Sequence, residues 1–72
     1  MPSILPKLDL AQNRIATLTD ILQDTLYLAQ AAHLPTCNLH DLERSIEDTE
    51  SIFANLAAIR ARLERTHPHL RL

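Results

Sequence analysis

Apolar side chains recur along this chain at alternating steps of three and four residues, the spacing that holds one stripe of an α-helix against a partner helix. One series runs Leu8, Ala11, Ile15, Leu18, Leu22, Thr25, Ala29 and Ala32; a second runs Leu39, Leu42, Ile46, Thr49, Phe53, Leu56, Arg60 and Leu63. Between them stands Pro35, which cannot continue a helix and pushes Leu34 toward extended geometry. The pattern predicts a helix over about 6–33 that begins near Pro6, which suits the first helical position because its missing N–H costs nothing there, a loop over 34–37, a second helix over about 38–66 stopped by Pro68, and a short tail over 67–72.

Folding the chain at that loop sets the two series against each other in one continuous register. Ala32 then faces Leu39, Ala29 faces Leu42, Thr25 faces Ile46 and Leu22 faces Thr49; Leu18, Ile15, Ala11 and Leu8 follow against Phe53, Leu56, Arg60 and Leu63. The expected fold is therefore all-α, a single antiparallel two-helix hairpin of coiled-coil type. Each seam threonine faces an aliphatic residue, so no hydrogen bond between threonines is expected, and the hydroxyls should return to the preceding turn of their own helix. Asn38 is the expected N-cap of the second helix, with Asp41 three residues on and Cys37 stapled to Leu42.

Large aliphatic residues outside the seams are not scattered. Ile21 and Leu28 flank the first seam, Ile52 and Ile59 the second, and in an antiparallel pair these flanking rows fall on one side of the molecule. The other side, with Gln12, Thr19, Leu26, Glu43, Glu50, Ala57 and Glu64, is mostly polar. Aliphatic surface of this kind contributes roughly 1.5–3 kcal/mol per side chain when buried. The expected completion is a four-helix or larger bundle formed with a second copy or another helical protein, through Ile21, Leu28, Ile52 and Ile59, with Leu26 and Tyr27 as secondary contacts.

Composition sharpens that expectation. At 72 residues a single core contributes only a few kcal/mol net of chain entropy. One cysteine excludes an intrachain disulfide, there is no paired CxxC for zinc, and association is the remaining source of stability. The absence of glycine and the placing of the four prolines at the ends and centre leave both long segments uninterrupted. Apolar stretches are too short for a membrane span, and no basic-then-apolar leader opens the sequence. A soluble intracellular protein, cytoplasmic or nuclear, is expected, the unpaired Cys37 agreeing with a reducing compartment.

Candidate chemistry is sparse. His33, Cys37 and His40, with Asp41 as a fourth donor, surround the loop, but neither a CxxC nor an HxxxH pair supports a metal site, and the simpler reading is a helix-end histidine, a small apolar cysteine and a solvated first-turn histidine. A thiolate nucleophile needs an oriented base and a cleft, which a hairpin loop does not offer. No catalytic residue, cofactor, metal or small-molecule substrate is assigned, and the expectation is a protein that is not an enzyme. The charges are polarised lengthwise: Lys7, Arg14, Arg60, Arg62, Arg65 and Arg71 gather at the open end, and Asp20, Asp24, Asp41, Glu43, Glu47, Asp48 and Glu50 in the loop half. Helix dipoles account for much of this.

The function expected from the sequence is thus a protein–protein interaction module, a scaffold or structural subunit of a helical complex or a homo-oligomer. The alternative is a small regulator that docks its basic open end, Arg14, Arg60, Arg62 and Arg65, on an acidic partner or on nucleic acid. A net charge of -2 and the lack of interleaved aromatics argue against nucleic acid.

Overall fold

The computed structural model describes residues 4–67. Two helices, α1 (Ile4–Ala31) and α2 (Thr36–Thr66), pack against each other as a hairpin 51 Å long and 14 by 13 Å across, and there is no strand among the described residues. The stop assigned to Pro68 lies outside that range, but α2 ends at Thr66, as the pattern predicts, with the His67 amide donating to the Leu63 carbonyl.

The loop is where expectation and structure part. Helix α1 starts at Ile4, two residues before the expected Pro6, and ends two residues earlier than expected. The His33 amide donates to the Gln30 carbonyl at 3.1 Å and the Leu34 amide to the Ala29 carbonyl at 3.1 Å, the paired bonds of a Schellman motif. Such a motif needs a left-handed residue, normally glycine; with none in the chain the position falls to His33, at φ 57°. Its backbone, not its imidazole, caps the helix. Helix α2 begins correspondingly early: Pro35, fixed at φ -55° and ψ 146°, occupies the N-cap, and its carbonyl accepts the Asn38 and Leu39 amides. Asn38 is thus inside the helix, and no side chain caps it.

Moving the pivot changes the register. Thr19 faces Thr49, where the seam pattern set Leu22 against it, a slip of about one helical turn. Helix α1 is also rotated. The residues it turns inward are Leu5, Leu8, Gln12, Ile15, Thr19, Leu22, Leu26 and Ala29, while Leu18, Thr25 and Ala32 of the expected seam are exposed and Ala11 is half-buried at its edge. On α2 the expected seam holds at Leu39, Leu42, Ile46, Thr49, Leu56, Arg60 and Leu63, but Phe53 is exposed.

Candidate functional site

Four polar side chains lie in the seam, Gln12, Thr19, Thr49 and Arg60, and each finds a partner. The Thr49 hydroxyl donates to the Ile46 carbonyl at 2.8 Å and accepts from the Thr19 hydroxyl at 2.8 Å, so a hydrogen bond between threonines joins the helices, contrary to expectation. The expected return of seam hydroxyls to their own helix does occur at Thr49 and at Thr25, which donates to the Ile21 carbonyl. Near the open end Arg60 reaches across to the Asp9 carboxylate and the Gln12 amide oxygen, and its Nε donates to Glu64 at 2.9 Å. Among the described residues no buried side-chain nitrogen or oxygen lacks a hydrogen-bond partner.

With the seam fixed, the two flanks of the hairpin differ in chemistry. Residues one position before each seam residue share one side in an antiparallel pair, and residues one position after share the other. On the leading flank α1 presents Lys7, Arg14, Leu18, Ile21 and Leu28, and α2 presents Asp41, Asp48, Ile52, Ile59 and Arg62. All of them are exposed, the four expected docking residues between 36% at Ile59 and 65% at Leu28. The following flank carries Asp9, Asp20, Gln23, Glu43, Glu47, Glu50 and Glu64, with small residues Ala54, Ala57 and Ala61 between them. Comparison with protein-family models, curated proteins and solved structures finds no match.

The apolar centre of the leading flank therefore contains Ile21, Leu28, Ile52 and Ile59, as the sequence pattern anticipates, and one residue that the pattern had assigned to the seam. Leu18 is 41% exposed and lines a shallow trough on α1 with Leu10, Arg14, Thr17 and Ile21. Two secondary candidates lie elsewhere. Leu26 is half-buried in the seam, and Tyr27, 71% exposed, follows it on the acidic flank. Phe53 also turns to that flank, where it borders a groove with Ala16, Thr19, Asp20, Gln23 and Glu50.

The remaining candidates are dispersed. Arg14, Arg62 and Arg65 are exposed, whereas Arg60 is engaged by Asp9, Gln12 and Glu64. His33, Cys37 and His40 are exposed around the loop, and no group of three or more histidine, cysteine or acidic side chains with metal-holding geometry occurs among the described residues. No helix there is long and apolar enough to cross a membrane.

Proposed function

We propose that this protein is a non-enzymatic interaction module, a small scaffold or structural subunit whose leading flank docks on another helical surface. The observation that carries the reading is the row of exposed aliphatic side chains, Leu18, Ile21, Leu28, Ile52 and Ile59, on one side of a hairpin whose other side is acidic. The interior supports it. Among the described residues only Leu5, Ala29 and Ile46 of the apolar ones are buried, and no side chain is fully enclosed. So thin a core gives little stability against chain entropy, and a third and fourth helix over the aliphatic row would supply the missing burial.

The alternative, a basic end that docks on acid or nucleic acid, would have to work without Arg60, whose guanidinium is already occupied. The test is native mass by light scattering together with helicity by circular dichroism, comparing the natural chain with an Ile21→Lys, Ile52→Lys double variant. Association with a helical partner, self or foreign, that the lysines reduce at least tenfold is the expected result. Unchanged association, with loss on neutralising Arg62 and Arg65 instead, would favour the alternative.

A further inference from the structure

Whether the leading flank meets a foreign helix or a copy of itself is decided by how charge is laid along it. Its open end carries Lys7, Arg14 and Arg62; its middle is Leu18, Ile21 and Ile52; its loop end carries Asp41 and Asp48, with Leu28 and Ile59 at the two margins of the apolar row. None of these five charged side chains makes an ion pair with another described residue. Arg60, which is paired internally with Asp9 and Glu64, belongs to the seam and not to this flank.

We infer that the occupant of this flank is a second copy of the chain, docked antiparallel so that the basic open end of each copy lies over the acidic loop end of the other; the inference rests on the interaction reading above. A two-fold axis that crosses the flank near Leu18 and Ile52 reverses the long direction of the hairpin. It carries Lys7, Arg14 and Arg62 of one copy to the level of Asp41 and Asp48 of its mate, and it sets α2 against α2 with Arg62 beside Asp41. The interface is then isologous, as a two-fold dimer requires. The parallel arrangement superposes cation on cation at one end and carboxylate on carboxylate at the other, which the unpaired charges oppose. The acidic flank cannot form the same contact, because its charges are of one sign along most of its length.

The dimensions agree. A hairpin side of 51 by 14 Å projects to roughly 700 Å² before side chains are added, close to the roughly 800 Å² per partner of a standard stable interface. Two such hairpins face to face make a four-helix bundle, the smallest assembly in which both the seam and the aliphatic row are covered.

The test uses the full chain and two charge-reversed variants, Arg14→Glu with Arg62→Glu, and Asp41→Arg with Asp48→Arg, each measured by sedimentation equilibrium over a wide concentration range. The natural chain is expected at twice its 8.2 kDa mass. Each variant alone should dissociate at least tenfold more readily, and an equimolar mixture of the two should return to the dimer, since one copy is then acidic and the other basic along the same flank. Recovery in the mixture also shows that both variants fold. A natural dimer indifferent to either reversal overturns the antiparallel arrangement. A weakly helical natural monomer overturns the second copy as occupant but leaves the interaction reading intact, because the flank then lacks its cover. A stably helical monomer whose melting is unaffected by Ile21→Lys and Ile52→Lys also overturns the second copy as occupant, and the interaction reading then rests on a partner that binds the already folded chain.

Discussion

His33 shows how a single residue is set by what the rest of the chain lacks. A helix that must stop and reverse over four loop positions needs one left-handed residue at its end, and glycine is the side chain without a steric cost there. Histidine tolerates the region better than β-branched residues do, yet a left-handed conformation still costs a non-glycine residue on the order of 1 kcal/mol. The imidazole is exposed and makes none of the capping bonds, which all come from the backbone. Replacing His33 with glycine should therefore raise stability by about 1 kcal/mol, and replacing it with valine should lower stability by at least as much. Urea denaturation of the three proteins measures this directly; identical midpoints for histidine and glycine would mean that φ 57° carries no strain.

At the scale of the elements, the sequence made two helices, their antiparallel order and the aliphatic flank legible, because each rests on periodicity over many residues. The register was not legible, for a reason visible in α1. Two stripes with the same three-four spacing share Leu8, Ile15, Leu22 and Ala29. One adds Ala11, Leu18, Thr25 and Ala32; the other adds Leu5, Gln12, Thr19 and Leu26. Apolar content alone favours the first. The structure takes the second, in which the polar members meet partners across the seam, Thr19 with Thr49 and Gln12 with Arg60. Hydropathy ranks these positions as losses, whereas a satisfied buried polar pair is nearly neutral and fixes which turn faces which. The early Schellman stop moves the loop in the same direction, and a motif without glycine leaves no signal of its own. Thr49 is 6% exposed, so its pairing can be measured. Thr49→Val or Thr19→Val alone should cost about 1 kcal/mol, because each removes the bond between the hydroxyls and leaves the remaining one only the carbonyl of its own helix, Ile15 for Thr19 and Ile46 for Thr49. The double valine variant should cost about as much as one single change, since the bond between the hydroxyls is lost only once. Additive costs in this double-mutant cycle would show that the two threonines do not pair and that the register is different.

The whole molecule is too slender to be judged by its internal contacts alone. Among the described residues the buried apolar ones are Leu5, Ala29 and Ile46, distributed from the open end to the loop, and no side chain there is fully enclosed. A fold in this position borrows stability from whatever covers its exposed row, and its unfolding must then depend on how much of the cover is present. If the cover is a second copy, each tenfold rise in protein concentration adds about 1.4 kcal/mol to the apparent stability of the dimer. The melting midpoint should climb by several degrees per tenfold step, while the shape of the far-ultraviolet spectrum stays helical throughout. Ile21→Ala with Ile52→Ala, which shortens the row without adding charge, should flatten that dependence and lower the midpoint most at high concentration, where the natural chain gains most. A midpoint that does not move with concentration in the natural chain would mean that the hairpin holds itself together. The exposed aliphatic row would then have no energetic role in folding, and its explanation would have to come from a partner that binds an already folded monomer.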